Sequence, residues 1–184
     1  MKPIKLVSTL VILFLFLGCK EDKTASEEFY SNQGISTFYF IRHAEKDRSN
    51  PDNIDPELNQ KGLGRAMHWA EILDDVALDA IYTTDYERAT MTAAPTSVKQ
   101  DIIMQYYVPE EINIEQFKVD NLNKKVLVVG HSNTTPQFVN LMIGQDKYGP
   151  MDDYDNGSMY IVQIINGTAT DMRLQFNCNC PEGR

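Results

Sequence analysis

The feature that most limits how this chain can fold is the stretch at residues 36–46, STFYFIRHAEK, where an apolar run stops abruptly at Arg42-His43. Aromatic and β-branched residues ending in a charged cluster predict a buried strand whose C-terminal end carries the polar group. Residues 126–129, VLVV, form a second continuous apolar run, and it ends in Gly130-His131. A short strand with no polar alternation is buried on both faces, as in a parallel sheet sandwiched between helices. In open α/β sheets ligands collect at the C-terminal edge, so both histidines are expected on the same side of the molecule.

The segments between these runs alternate in type. A polar loop at residues 47–57 contains RSNPDNIDP and stands close enough to Arg42-His43 to be a wall of any pocket there. Asn59 reads as the cap of an amphipathic helix running to Asp75, with Leu63, Ala66, Met67, Ala70 and Leu73 as its apolar face. His68 falls beside that stripe and reads as a helix-surface histidine. Residues 78–82 predict a strand ending in Thr83-Thr84-Asp85, whose hydroxyls and carboxylate are the expected caps of a helix running towards Pro95. Another helix is expected from Thr135 to Met142. Residues 98–123 are harder to read, with a strand at 101–108 and a short helix at 110–117 as the expectation. Two strand-like runs, 159–165 and 168–176, flank Asn166-Gly167, a strong hairpin signal. Alternating strands and helices closed by a hairpin predict an α/β domain with a mainly parallel sheet at residues 35–176, followed by a tail at 177–184.

The first 34 residues stand apart from that domain. Lys2 and Lys5 precede an apolar run at residues 6–17, shorter than a membrane span but suited to a signal-peptide core, so residues 1–18 are read as a leader. Cys19 follows Leu17-Gly18 directly, and this is similar to the bacterial lipoprotein box, in which the cysteine is lipidated. An ordinary secretory signal or a membrane anchor is the other reading, since Phe16 stands where a branched aliphatic is more usual. Residues 19–34 are polar and aperiodic, a lipidated tether between membrane and domain. Lys20-Glu21-Asp22 resembles the signal that sends some lipoproteins to the cell surface. The expected location is therefore the periplasmic or outer face of a bacterial envelope, with the lipid as the only membrane attachment. Cys178 and Cys180 form a CNC pair in the tail, where a disulfide would close a tight ring and two thiols are too few for a metal.

Charge narrows the partners. The formal net charge is -9, and loss of Lys2 and Lys5 with the leader takes it to -11. Such a surface repels nucleic acid and anionic headgroups, so arginines gathered in one crevice would serve a small anion. Arg42-His43, Arg88 one turn into its helix, and His131 are the groups expected to meet there. Two arginines and two histidines suit a transferring phosphoryl group, which needs a nucleophile in line with the leaving oxygen and donors around the equatorial oxygens.

Four motifs, FIRHAEK, LNQKGLGRA at 58–66, YTTDYERATMTA at 82–93 and VLVVGHSN at 126–133, together resemble the histidine phosphatase superfamily, or phosphoglycerate mutase-like family. They cover almost all of the domain in the family's order, and the RHAEK variant and short chain look like its compact phosphohistidine-phosphatase branch. The resemblance implies a three-layer α/β/α sandwich that needs no metal or organic cofactor. It implies that His43 takes the phosphoryl group, that Arg42 and Arg88 bind phosphate, that His131 donates to the equatorial oxygens, and that Asn133 adds a hydrogen bond. The expected activity is hydrolysis of a small phosphomonoester outside the cytoplasm through a phosphohistidine.

The family's general acid has no evident match. Ser132 follows His131, which excludes one usual position; Glu110 and Glu111 are unbracketed candidates for the other. Glu45 and Glu87 read more simply as partners that orient arginines. Asp152, Asp153 and Asp155 in MDDYDNG read first as solvated loop acids, and as a flap over the pocket second. With the acid unassigned, a lipoprotein that binds a phosphorylated ligand without turning it over is the alternative.

Overall fold

Burial of the two apolar runs organises the domain. The computed structural model describes residues 34–179; the leader, Cys19 and Cys180 lie outside them. Phe38, Phe40, Ile41 and Val126 to Val129 are essentially inaccessible to solvent. They belong to β1 (Ile35–Arg42) and β4 (Lys125–Gly130), which pair in parallel from Thr37–Lys125 to Arg42–Gly130. With β2 (Ala80–Thr83), β3 (Met104–Tyr106), β5 (Ser158–Ile165) and β6 (Thr168–Gln175) they form one sheet in the order β3-β2-β4-β1-β5-β6. The first four strands run parallel, and β5 pairs antiparallel with both β1 and β6. Asn166 and Gly167 both take positive φ, 50° and 78°, the two-residue turn that matches strand twist in a hairpin.

Helices cover both faces. Trp69 and Leu73 of α1 (Gln60–Ile72) and its cap, with Ala89 and Ala93 of α2 (Glu87–Gln100), pack on Ile41, Ile81, Leu127 and Val129. Phe117 of α3 (Ile114–Asp120) and Phe138, Val139 and Met142 of α4 (Thr134–Ile143) pack on Phe38, Phe40, Val126 and Val128. Successive strand side chains point to opposite faces, so each apolar run feeds both cores at once. Among the described residues no helix is long and apolar enough to cross a membrane. Cys178 is disulfide-bonded.

Three elements differ from expectation. The buried face of α1 is Gly62, Arg65, Ala66, Trp69 and Ala70, while Leu63 and Met67 are exposed. The cause is Gly62: a Cβ built there would lie 2.1 Å from the Glu45 carbonyl oxygen, so the hydrogen side chain lets α1 press against the segment after β1. Arg65 follows onto that face because Glu45 accepts its Nε (2.9 and 3.0 Å) and Nη2 (2.7 Å). Helix α2 starts at Glu87 and continues through Pro95 to Gln100; neither Thr83 nor Thr84 caps it. The stretch 101–123 holds a three-residue strand, a single 3₁₀ turn at Pro109–Glu111 and the later helix α3. Elsewhere Asn59 caps α1 as expected, accepting from the Gly62 N–H at 2.9 Å.

Candidate active site

The parallel strands bring three C-terminal ends together. β4 lies between β1 and β2, so Arg42-His43, Thr83-Thr84 and Gly130-His131 meet at one edge. The His43 N–H donates to the Gly130 carbonyl at 2.9 Å, and Thr84 Oγ1 lies 2.8 Å from His131 Nε2. Thr84 thus positions the second histidine instead of capping a helix. The two histidine rings stand edge to face, 5.4 Å between centroids. They line a cavity of about 340 Å³ together with Arg42, Arg88, Lys46 and Glu110.

His43 is almost fully buried, and its Nδ1 lies 2.7 Å from the Ala44 carbonyl oxygen. A carbonyl only accepts, so Nδ1 carries the proton and Nε2 keeps its lone pair. Burial pulls the ring down to about 3; the Ala44 bond, the next-largest influence, opposes it, and the charges of Arg42, His131 and Arg88 add to the lowering. Burial and then Arg88 and Arg42 pull His131 down to about 4. Both rings are neutral at physiological pH, and His43 presents the unprotonated nitrogen a nucleophile requires.

The two arginines are fixed by different loops. Arg42 Nη1 donates to the carbonyls of Asp152 and Asp153 at 2.8 and 3.0 Å, and its Nη2 to Asp153 Oδ1 at 3.0 Å. Asn156 Nδ2 donates to the His43 carbonyl at 2.9 Å, and the Met151 N–H to that of Ser132 at 2.8 Å. The MDDYDNG segment therefore packs over the pocket instead of waving in solvent, since it supplies the acceptors that a buried guanidinium requires. Asp153 also meets Arg48 at 2.8 Å, and the two arginines hold its carboxyl down at about 2. Arg88 Nη1 donates to Asp55 at 3.0 Å and its guanidinium lies 4.4 Å from the Tyr86 ring centroid. Among the described residues, the buried side-chain polar atoms without a partner include Nε of Arg42 and Nε of Arg88.

The sequence assigns no site role to Asp55, Lys46 or Tyr86, and offers Thr84 only as a helix cap. The 47–57 loop was expected as a wall, but only the fold shows that its Asp55 accepts from the Glu87 N–H (3.1 and 3.2 Å) while pairing with Arg88. One carboxylate thus caps α2 and orients its arginine, a role the sequence offered to Glu87. Asp55→Ala is expected to lower kcat/KM about 10-fold and stability by about 1 kcal/mol, whereas Asp55→Asn keeps the cap and loses the rate. Steady-state kinetics alongside urea unfolding separates the two effects.

The remaining candidates divide. Asn133 lines the cavity and its side chain makes no capping bond to α4. Glu110 also faces the cavity, while Glu111 faces a neighbouring one of about 600 Å³ lined by Tyr106, Tyr107 and Phe117. Glu45 is committed to Arg65, and Asp155 to Ser158 and Arg173. His68 lies 3.6 Å from Glu71 on α1, away from the cavity lining. Among the described residues no cluster of His, Cys, Asp and Glu is placed to hold a metal ion.

Comparison with known proteins agrees with this geometry. Residues 38–113 match the family model described as histidine phosphatase superfamily (branch 1). Three solved structures share the fold at low identity. The alpha-ribazole phosphatase from Shigella flexneri has a TM-score of 0.61 and 16% identity, over 80% of this chain and 100% of that one. The protein histidine phosphatase SixA complexed with tungstate has 0.58 and 12%, over 76% and 96%. Mycobacterial glucosyl-3-phosphoglycerate phosphatase has 0.58 and 13%, over 79% and 100%. No curated protein matches the chain by sequence. The match of residues 38–113 to the histidine phosphatase superfamily model, on a six-stranded α/β fold shared along nearly the full length of these structures, supports a phosphatase.

Proposed function

We propose that the protein hydrolyses an extracytoplasmic phosphomonoester in two in-line steps through a phosphohistidine on His43, without a metal. The observation that carries this reading is the state of His43: neutral, with Nδ1 tied to its own backbone and Nε2 unprotonated, beside two arginines whose Nε groups have no partner. In the first step Nε2 attacks phosphorus, the P–O bond breaks, and the leaving oxygen takes a proton. Arg42, Arg88 and His131 donate to the phosphoryl oxygens, with Asn133 at the rim. In the second step water attacks phosphorus, the P–N bond breaks, and His43 returns to its starting state.

Glu110 is the proton donor of the first step and the base of the second. It is the glutamate that reaches the cavity, which favours turnover over mere binding of a phosphorylated ligand. The leader and Cys19 of the sequence support an exported lipoprotein at the envelope, and the arginines and lysine lining the pocket support a small phosphorylated substrate.

The test is hydrolysis of an aryl and an alkyl phosphate with EDTA present. An aryl leaving group departs with little protonation, so Glu110→Gln is expected to lower kcat/KM, which reports the phosphorylation step, about 100-fold for the alkyl ester and less than about 5-fold for the aryl ester. An acid-labile, alkali-stable phosphoenzyme should be trapped from the wild type. Complete loss of aryl phosphate turnover in EDTA, or a phosphoenzyme that survives acid, would overturn the reading.

A further inference from the structure

We propose that Lys46 is a third cationic phosphoryl ligand of this site, beside Arg42 and Arg88, whose ammonium matches the pocket to a phosphate dianion and so to monoesters over diesters. The inference rests on the His43 cavity being the phosphoryl site. Lys46 is held by its backbone: it bridges to Leu58 just after β1, and its carbonyl accepts from Asn59 Nδ2 at 3.3 Å. Its half-buried side chain lines the cavity beside His43, His131, Arg42 and Arg88.

The charges around it are mostly of its own sign. Arg88, Arg48 and Arg42 all repel it, and Asp153 is the carboxylate whose charge favours it. Asp153 is already shared between Arg42 and Arg48, at 3.0 and 2.8 Å. Arg88 has Asp55. Among the described residues Lys46 makes no ion pair and no side-chain hydrogen bond, although the chain has 26 acidic residues to choose from. Holding an ammonium among guanidiniums costs stability unless an anion joins it. Burial and the three arginines accordingly lower its proton affinity, and a bound dianion would restore it.

The cations around the pocket are Arg42, Lys46, Arg48 and Arg88, and the carboxylates paired with them are Asp55 and Asp153. With both histidines neutral, these four cations exceed the two carboxylates paired with them by two positive charges. A monoester above its second pKa of about 6 carries two negative charges, whereas a diester carries one. Removing any cation lessens the match, but Lys46 is the one with no structural duty. A flexible ammonium can also follow an equatorial oxygen as phosphorus moves from the leaving oxygen to Nε2, which the pinned arginines cannot do.

Inorganic phosphate, titrated calorimetrically into the purified protein, reads this directly. It is mostly a monoanion near pH 5.5 and mostly a dianion near pH 8. The histidines, at about 3 and 4, stay neutral across that range. Of the other groups facing Lys46, Asp153, on the loop over the pocket, is held at about 2. The arginines of the β1 end, its following loop and α2 keep their charge, and Asp55 and Glu110 complete the set. Lys46→Met is expected to weaken phosphate binding about 10- to 30-fold near pH 8 and less than about 3-fold near pH 5.5, with Lys46→Arg restoring most of it. The ratio of kcat/KM for an aryl phosphate over the matching methyl aryl diester should fall about 10-fold in Lys46→Met. Binding by Lys46→Met within about twofold of wild type near pH 8, or an equal loss at both pH values, would overturn the proposal. Wild-type protein that binds no phosphate at all would overturn the phosphoryl-site reading itself, and Lys46 with it.

Discussion

Replacing His43 with alanine is expected to lower aryl phosphate turnover by about 10⁴-fold or more, because it removes the unprotonated nitrogen on which the covalent intermediate forms. His131→Ala should cost less, about 10² to 10³-fold, the range for losing one donor to a developing anion. The difference separates nucleophile from stabiliser, and trapping sharpens it: His131→Ala should still form phosphoenzyme slowly, and His43→Ala should form none. The fold should survive the first change, since the His43 side chain bonds only to the neighbouring Ala44 carbonyl. Stopped-assay kinetics with a circular-dichroism melt of each variant is the measurement; a His43→Ala protein within 100-fold of wild type would discard the covalent route.

The pH dependence has a definite sign. A free histidine protonates near 6.5, but His43 in the folded protein does so only at about 3. Between those values the unfolded chain binds the extra proton and the folded one does not, so stability rises with pH across that window and is lost as pH falls through it. Activity follows the folded-state value. An acidic limb of kcat/KM near 6.5 should therefore come from the substrate's own phosphate, whose second pKa is about 6, and not from the nucleophile.

Gly62→Ala is the second large effect, and it tests the fold. In an ordinary helix interior this change would stabilise by about 1 kcal/mol. Here the new methyl would sit 2.1 Å from the Glu45 oxygen, which is backbone and cannot swing aside. Overpacking of this kind costs about 1–3 kcal/mol, so the steric loss exceeds the propensity gain. A domain of this size should melt lower by roughly 2–4 °C for each kcal/mol lost. Because Glu45 lies two residues after His43, the shift should also reduce activity, whereas Leu63→Ala on the exposed side of the same helix should change neither. Thermal melts and kinetics of the pair make the comparison, and an unchanged or raised melting temperature for Gly62→Ala would refute it.

Local pattern determined much of this protein. The apolar runs of β1 and β4, the Asn59 cap and the Asn166-Gly167 turn are all short-range signals, since burial period, capping chemistry and positive φ are written in neighbouring residues. Those strands also carry Arg42-His43 and Gly130-His131 at their ends, so the edge of the sheet and the core of the site were legible together. Tertiary structure decided the rest. Which face α1 buries depended on Gly62 meeting a backbone oxygen seventeen positions earlier in the chain, a contact that apolar periodicity does not register. Asp55 displaced Thr83 and Thr84 as the cap of α2 because a loop carboxylate could satisfy an amide and a guanidinium at once. Thr84 was then available to His131. Packing also chose Glu110 over Glu111 for the cavity, drew MDDYDNG onto Arg42, and left Lys46 among arginines. Each of these depends on distances between residues far apart in sequence, and only the folded sheet and its loops set those distances.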